Sequence, residues 1–126
     1  MYKPNSTFHV LYISNVETTH NFYKSINAEI TQLEEDKVVV QMGGYILHFV
    51  LDSSEPWDEY RIATSKEGRG QGILFYIEVE NLETAKDLVK DAGAKFHSEI
   101  KENWWNGKEF MFEDPDGYKF VVYKMN

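Results

Sequence analysis

Residues 13–18 read ISNVET, and residues 79–84 read VENLET, an offset of 66 positions. Two further pairs align in the same way: Asn27-Ala28 on Gly93-Ala94 at an offset of 66, and Gly44-Tyr45 on Gly117-Tyr118 at an offset of 73. These matches fall at predicted helix ends and turns, where backbone geometry restricts the choice of residue. We infer an internal duplication of a unit of about 50 residues.

The first repeat predicts one strand, one helix and three further strands. Residues 8–13 (FHVLYI) are rich in aromatic and branched side chains and predict a strand. Ser14 and Glu17 predict a capping box that opens a helix, and Asn27 can end it in the left-handed conformation. Strands are then predicted over residues 29–33, 37–42 and 45–51, with a tight turn at Gly43-Gly44.

The second repeat predicts the same order. Residues 72–79 (GILFYIEV) predict a strand, and residues 81–92 predict a helix that is capped by Asn81 and closed by Gly93. Strands are predicted over residues 95–100, 108–113 and 118–124, with a type I turn at residues 114–117 (DPDG).

Residues 53–71 form the predicted linker between the repeats. A polar connection of this length is typical of a lid, a dimer arm or a mobile segment. At the end of the linker, Gly68-Arg69-Gly70-Gln71-Gly72 resembles a phosphate loop but leads into a strand, so the helix N-terminus that a phosphate needs is missing. We expect a flexible hinge there instead.

The predicted fold class is α+β, with two tandem βαβββ units over residues 7–52 and 72–124 in a single domain spanning residues 1–126. Two such units can form one open curled sheet, a half-barrel cup with the helices outside. A concave face of this kind is a natural place for a ligand. The alternative is an eight-stranded α+β domain with a filled core and no site.

Composition excludes several classes of partner. The chain has 126 residues, with 13 Lys+Arg and 21 Asp+Glu, and hence a net charge of −8. Because phosphate groups repel such a chain, we expect no nucleic acid and no membrane as partners. The sequence has no cysteine, which excludes disulfides, thiolate nucleophiles and cysteine-based zinc sites. Its first residues lack the apolar segment of a signal peptide, so we expect a cytoplasmic protein.

The ordered set of three segments resembles the vicinal oxygen chelate superfamily, which includes glyoxalase I, bleomycin resistance proteins, fosfomycin resistance proteins and extradiol dioxygenases. The segments are VLYISNVETTHNFYKSINAEI, LFYIEVENLETAKDLVKDAGAKF and WWNGKEFMFEDPDGYKFVVYK. The last looks most like the bleomycin-resistance and fosfomycin-resistance branches. The resemblance covers residues 7–124 and implies a homodimer.

Metal-using members of that superfamily take their ligands from four symmetric strand positions. By the resemblance, these positions are Phe8, His48, Leu74 and Val121 in this chain. A divalent ion needs several N, O or S donors, and catalytic sites typically use three protein ligands. Only His48 has a donor, and strand alternation points the neighbouring His9 to the opposite face. We therefore expect no metal and no cofactor.

Strand alternation also predicts which side chains face the cup. The cup-facing set is Phe8, Val10, Tyr12, His48, Val50, Leu74, Tyr76, Glu78, Lys119, Val121 and Tyr123. The opposite set, expected to pack under the helices, is His9, Leu11, Ile13, Ile73, Phe75, Ile77 and Val79. The cup aromatics either contact a ligand or fill the barrel. His48 and Glu78 either form a proton-transfer pair, or His48 is bonded to a tyrosine hydroxyl.

Four aromatic residues stand in predicted connections: Trp57, Tyr60, Trp104 and Trp105. With the nearby Glu55, Asp58 and Glu59, such rings suit a cationic aromatic molecule, which they would hold by stacking and cation–π contact. The alternative is that they cover a sheet edge or a dimer seam.

The sequence thus predicts a metal-free small-molecule-binding protein that resembles bleomycin resistance proteins and sequesters or senses a small aromatic or cationic ligand. It predicts no catalytic residue. The predicted ligand-binding residues are Tyr12, His48, Val50, Trp57, Tyr60, Tyr76, Glu78, Trp104, Trp105 and Tyr123. One alternative is a glyoxalase- or dioxygenase-type metalloenzyme in which His48 and unrecognised ligands hold a metal. Another is an interaction module whose cup is filled by its own or a partner's side chains.

Overall fold

The computed structural model describes residues 2–61 and 66–126 and separates into two compact units, Met1–Thr64 and Ser65–Asn126. The fold is mixed α+β, with an open sheet in each unit and few helices, as the sequence predicts. Residues 62–65 of the predicted linker lie outside the described part of the chain.

The first unit has the predicted order of one strand, one helix and three strands. Its elements are β1 (His9–Ile13), α1 (Val16–Ser25), β2 (Glu29–Leu33), β3 (Lys37–Met42) and β4 (Tyr45–Leu51). The sheet order is β1-β4-β3-β2, with β1 parallel to β4 and the other neighbours antiparallel. A two-residue turn at Gly43 and Gly44 joins β3 to β4, because Met42 pairs directly with Tyr45.

Helix α1 begins one residue later than the capping-box prediction placed it. Asn15, rather than Ser14, is the N-cap, and its side-chain oxygen accepts a hydrogen bond from the Thr18 backbone N–H at 2.9 Å. The predicted capping box is therefore wrong. Asn81 caps α3 (Leu82–Asp91) in the same way, by accepting from Thr84 N–H at 3.0 Å. Both cap residues obey the 66-residue offset.

The two helices also end alike. After α1, Asn27 has a φ of +62°, and after α3, Gly93 has a φ of +85°. The next residue in each case donates its N–H back into the helix, Ala28 to Tyr23 at 3.0 Å and Ala94 to Val89 at 3.3 Å. These bonds satisfy carbonyls that the helix ends leave open.

The second unit repeats the topology, but its first strand is shorter and two short pieces replace the strand that follows the helix. Its strands are β5 (Phe75–Glu78), β6 (Lys95–Phe96), β7 (Lys101–Glu102), β8 (Gly107–Glu113) and β9 (Lys119–Met125), with α3 between β5 and β6. The sheet order is β5-β9-β8-β6, with β7 also paired to β8. The predicted strand over residues 72–79 thus begins only at Phe75, and the strand predicted over residues 95–100 is two short pieces, β6 and β7.

Each sheet buries one face beneath its helix. In the first unit, Tyr23 of α1 stacks on Phe49 of β4 with ring centroids 4.7 Å apart, and both rings are fully buried. In the second unit, Phe120 stacks on Phe75 at 5.0 Å and on Phe112 at 5.3 Å. Burying each such ring contributes about 1.5–3 kcal/mol, so these stacks anchor the two sheets.

The described part of the linker is more ordered than the sequence predicts. A 3-10 turn spans Asp52–Ser54, and a short helix, α2, spans Asp58–Arg61. The flexible hinge predicted at residues 68–72 is wrong. Arg69 is buried there and forms an ion pair with Asp116 at 3.1 Å. A charge that lies out of water needs such a partner, so this segment is held against the 114–117 turn.

The 114–117 turn forms as predicted. Gly117 donates its N–H to the Asp114 carbonyl oxygen at 3.1 Å, which closes the turn. The Asp114 carboxylate is buried and accepts the N–H groups of Asp116 at 3.0 Å and Tyr118 at 2.9 Å. The turn is therefore a rigid support for the Arg69–Asp116 pair.

Candidate functional site

The exposed face of the first sheet carries the predicted histidine. Val10 on β1 lies beside His48 on β4, and the Phe8 ring stacks on the His48 ring with centroids 4.2 Å apart. Phe8 and Val10 are about half exposed, whereas Leu47 and Phe49, the neighbours of His48, are fully buried. Strand alternation is thus as predicted here.

Burial lowers the pKa of His48 below its usual value of 6.5, and the positive charge of Lys37 lowers it further. The imidazole is therefore neutral at pH 7. It presents a ring face to Phe8 and keeps its nitrogens available for hydrogen bonding.

The opposite set of side chains is buried only in part. Leu11, Ile13 and Phe75 are buried, as predicted. His9 and Ile73, however, are exposed, because they lie at or before the beginning of their strands. The His9 ring meets the Tyr45 ring edge-on at 6.5 Å.

Four residues of the first unit form a group that we call the Tyr12 cluster: Tyr12, Glu55, Trp57 and Tyr60. The Tyr12 hydroxyl donates to Glu55 Oε2 at 2.8 Å, and the Trp57 backbone N–H donates to Glu55 Oε1 at 3.3 Å. The Trp57 and Tyr60 rings lie 5.2 Å apart at an angle of 61°. The sequence singled out the three aromatic residues but named Glu55 only as an acidic neighbour.

The phenol of Tyr12 is held in its protonated form. Burial raises the pKa of Tyr12 to about 12, and the hydrogen bond and negative charge of Glu55, together with Tyr60, act in the same direction. The hydroxyl is therefore a donor at every physiological pH, and it fixes the orientation of the Glu55 carboxylate.

Replacing Glu55 by glutamine is expected to lower the pKa of Tyr12 while leaving it above 10.0, since burial is the largest cause of the shift. Because the folded pKa exceeds the unfolded one, Tyr12 leaves stability unchanged below pH 10.0 and lowers it as pH rises towards 12. The tyrosinate absorbance of the wild type minus that of Tyr12→Phe measures this pKa. An unchanged pKa in Glu55→Gln would contradict the pairing.

Three rings of the second unit form a second group, the Tyr76 cluster: Tyr76, Trp105 and Tyr123. Trp105 lies 5.1 Å from Tyr123 and 6.2 Å from Tyr76, and the two tyrosine rings are 5.9 Å apart. Strand pairing explains the tyrosine pair, because Tyr76 on β5 and Tyr123 on β9 lie on neighbouring strands. The three sequence-predicted residues are thus brought together.

Asn103 holds Trp105 in that cluster. The Asn103 side-chain oxygen accepts the N–H groups of Trp105 at 3.1 Å and Gly107 at 2.8 Å, and Asn106 completes the bend with a φ of +72°. Asparagine is favoured in such turns because its side chain bonds to the backbone two residues on. The Asn103-Trp104-Trp105-Asn106-Gly107 sequence carried this signal, but sequence reasoning missed Asn103.

Two carboxylates flank Tyr123. Glu78 on β5 and Glu109 on β8 are both paired with Tyr123 in the strand register, so all three side chains share one face of the sheet. Glu78 also lines an open depression of about 470 Å³. Glu109 was not predicted; period-2 alternation along β8 would have placed it beside Tyr123 had the register been known.

The remaining predicted residues lie in varied surroundings. Trp104 is 94% exposed at the tip of the bend, so its ring has little protein around it. Val50 is half-buried on the face that carries His48. His97 follows β6, and its Nε2 atom lies within hydrogen-bonding distance of Glu113 Oε2 on β8. His48 and Glu78 belong to different units, and their pairing stays a prediction.

The four positions that the family resemblance assigns to metal ligands are structurally equivalent in the two repeats. Val10 pairs with His48 in the first sheet, and Tyr76 pairs with Val121 in the second, as the offsets of 66 and 73 require. The two sheets are therefore paired in equivalent register, and the assignment of the four positions to metal ligands stays a prediction from the resemblance.

Their chemistry does not fit a metal. Phe8, Leu74 and Val121 offer only hydrocarbon, Val121 is fully buried, and a single imidazole is too few donors for a catalytic ion. Within residues 2–61 and 66–126, no three His, Asp or Glu side chains are grouped so that they could hold an ion.

Comparison with known proteins agrees with the fold. The sequence model of the Glyoxalase/Bleomycin resistance protein/Dioxygenase superfamily matches residues 7–122. Similar solved structures include a hypothetical protein from S. aureus (TM-score 0.80, 19% identity, covering 98% of this chain and 95% of that one) and a glyoxalase-related enzyme from Fulvimarina pelagi (0.79, 15%, 96% and 88%). A glyoxalase/bleomycin resistance protein/dioxygenase from Alicyclobacillus acidocaldarius is also similar (0.67, 18%, 99% and 95%). No curated protein matches the chain.

The two repeated units and the extent of the family match define the class: the chain belongs to the Glyoxalase/Bleomycin resistance protein/Dioxygenase superfamily. At identities below 20%, the likeness to the solved structures concerns the fold alone. Among the described residues, no helix is long and apolar enough to cross a membrane.

Proposed function

We propose that this protein binds a small aromatic or cationic molecule without a metal ion, and that it sequesters or senses that molecule rather than transforming it. One observation carries the proposal. Three of the four family metal positions are hydrocarbon, while the sheet faces that carry these positions also bear aromatic rings and carboxylates.

The first support is the chemistry of the metal positions. Zinc, nickel, iron and manganese ions are bound through several nitrogen, oxygen or sulfur atoms. His48 supplies one nitrogen, and its stacking on Phe8 suits contact with a flat ligand better than metal binding. A sheet face of this kind can bind a ligand through shape, stacking and charge instead.

The second support is the pair of aromatic clusters. The Tyr12 cluster combines two half-exposed rings, Trp57 and Tyr60, with the Glu55 carboxylate. The Tyr76 cluster places its rings on the face that also carries Glu78 and Glu109. Aromatic faces attract cations, and carboxylates add charge, so both clusters favour an electron-poor or positively charged ligand.

Trp105→Leu is expected to weaken ligand binding by at least ~5-fold, or about 1 kcal/mol, because it removes the ring that contacts both tyrosines of the Tyr76 cluster. A thermal-shift screen of cationic and neutral aromatic molecules supplies the ligand, and calorimetry measures its affinity for each variant.

Trp104→Leu is the matched control, since it makes the same substitution one position earlier on a ring that is 94% exposed. We leave Trp104 out of the proposed site for that reason. Equal effects of the two substitutions would contradict the role of the Tyr76 cluster. A ligand that binds only in the presence of a transition ion would favour a glyoxalase- or dioxygenase-type metalloenzyme instead.

We also propose that the protein acts as a homodimer, as the family resemblance implies. Sedimentation equilibrium tests this directly, and a monomer at micromolar concentration would contradict it.

A further inference from the structure

An open depression of about 430 Å³ lies in the second unit, where the glycine-rich stretch leads into β5. We call it the Lys119 depression. Its lining residues are Gly70, Gln71, Gly72, Ile73, Leu74 and Lys119. None of them belongs to the Tyr12 cluster or the Tyr76 cluster.

The backbone that forms one side of this depression is held in place. Arg69 is buried and paired with Asp116, and Gly70 approaches Gly117 so closely that a Cβ atom on Gly70 would lie 2.2 Å from the Gly117 carbonyl oxygen. At Gly72, by contrast, a Cβ atom would have no neighbour within 4 Å among the described residues. The depression is therefore open above Gly72, and the chain beneath it is packed against its own unit.

Lys119 is the charged residue of this lining. Its Nζ atom donates to the Gly117 carbonyl oxygen at 3.2 Å, which is the oxygen that Gly70 approaches. An ammonium group has three donors, so two are left for other acceptors. In the described ranges 2–61 and 66–126, no carboxylate lies at ion-pairing distance from Lys119. Its strand partner Glu113 instead places Oε2 within hydrogen-bonding distance of His97 Nε2.

The rest of the lining includes exposed hydrocarbon. Ile73 and Leu74 are 41% and 45% exposed, and Lys119 is half-buried. Apolar contact would stabilise a hydrocarbon group laid on Ile73 and Leu74, and partial removal of water strengthens the attraction between the ammonium and an anion. The surroundings therefore suit a molecule that joins an anionic group to a short apolar portion.

The number of charges favours a carboxylate over a phosphate. The lining residues that the structure describes supply one ammonium group, which balances the single charge of a carboxylate but not the double charge of a phosphate. The net charge of −8 opposes any anion at long range. Salt screens that repulsion beyond about 8 Å, so Lys119 dominates the interaction at close range.

We propose that the Lys119 depression binds the carboxylate group of a small molecule whose adjoining hydrocarbon lies against Ile73 and Leu74. This inference goes beyond the proposed function and does not depend on it. Lys119 and Tyr123 are four residues apart on β9, or about 13 Å, so the depression is separate from the Tyr76 cluster.

The test is NMR titration of the isotope-labelled full chain with hexanoate and with hexanamide, which have the same length and differ in charge. Hexanoate is expected to bind at least ~3-fold more tightly than hexanamide. The backbone signals of residues 70–74 are expected to shift as hexanoate is added. Inorganic phosphate is the third probe, and it is expected to bind more weakly than hexanoate.

Two substitutions at Lys119 separate its charge from its bulk. Lys119→Met is expected to remove the preference for hexanoate, and Lys119→Arg to keep it. Lys124→Met is the matched control, because Lys124 lies on the same strand but on the opposite face and does not line the depression. Leu74→Ser is expected to weaken both hexanoate and hexanamide by at least ~2-fold and to leave their ratio unchanged.

Thermal midpoints show whether each variant is folded. Equal affinity for hexanoate and hexanamide, tighter binding of phosphate, or equal effects of Lys119→Met and Lys124→Met would overturn the inference. If Lys119→Met does not fold, the wild-type preference and the Leu74→Ser result decide. A cationic aromatic molecule whose binding Trp105→Leu weakens would leave the proposed function standing even where hexanoate does not bind.

Discussion

Gly70→Ala is expected to lower the free energy of unfolding by roughly 2–5 kcal/mol. Gly70 has a φ of +78°, and a Cβ atom built there would lie 2.2 Å from the carbonyl oxygen of Gly117. That oxygen belongs to the backbone of a hydrogen-bonded turn and cannot rotate away. The segment before β5 would therefore have to move off the 114–117 turn, which chemical denaturation would register as a lower midpoint.

Gly72→Ala is the matched control. Gly72 also has a φ of +78°, but a Cβ atom there has no neighbour within 4 Å. Gly72→Ala should therefore lower the free energy of unfolding only by the strain of a left-handed alanine, roughly 1–2 kcal/mol. The unfolded chain gains the same rigidity from either alanine, so the difference between the two variants isolates the contact with Gly117. Equal losses of stability would contradict the close packing of this segment.

Asp116→Ala is expected to lower the free energy of unfolding by roughly 3–5 kcal/mol. The side chains of Arg69 and Asp116 are 2% and 7% exposed, so removing the carboxylate leaves the guanidinium buried without this counter-charge. The double variant Arg69→Met/Asp116→Ala should lose less free energy of unfolding than Asp116→Ala alone, because the buried guanidinium is removed together with its counter-charge. Urea denaturation of the three proteins measures both values.

Glu99→Ala gives the comparison for an ion pair in water. Glu99 contacts Lys86, and the hydrogen bond between them lowers the pKa of Glu99 and raises that of Lys86. Because the Glu99 side chain is 82% exposed, water and salt screen the pair, and its removal should hardly move the denaturation midpoint. A loss as large as that of Asp116→Ala would show that burial is not what makes the Arg69–Asp116 pair important.

The repeat made most of the fold predictable. Caps and turns depend on a few backbone-restricted residues, so Asn27, Gly93 and Gly43-Gly44 marked element ends that the structure has at the same positions. The offsets of 66 and 73 positions also relate the strand pairings of the two sheets, since Val10–His48 in the first corresponds to Tyr76–Val121 in the second. Local chemistry and a second copy of the pattern were enough for these features.

Features that depend on distant residues were missed or wrong. The glycine-rich stretch over residues 68–72 predicted a hinge because glycine is flexible. In the structure, however, Arg69 pairs with Asp116, which lies 47 positions further along the sequence. The capping box failed for a smaller reason, since Asn15 competes with Ser14 for the same helix start, and asparagine is at least as good a cap.

The candidate site was predictable in its aromatic residues and much less so in its polar contacts. Tyr76 and Tyr123 followed from strand alternation, but the role of Glu55 depends on a bond to Tyr12 across 43 positions. Glu109 needed the β8–β9 register, which no local pattern contains. Sequence patterns predict on which face of a sheet a side chain lies, but they do not predict which distant residue it contacts.

The central claim, recognition without a metal ion, is tested most directly by elemental analysis of protein purified without chelator. The account predicts that no transition ion accompanies the chain in an amount approaching one per molecule, and that ligand affinity survives exhaustive dialysis against chelator. One equivalent of nickel, zinc, iron or manganese, whose removal abolishes ligand binding, would contradict it.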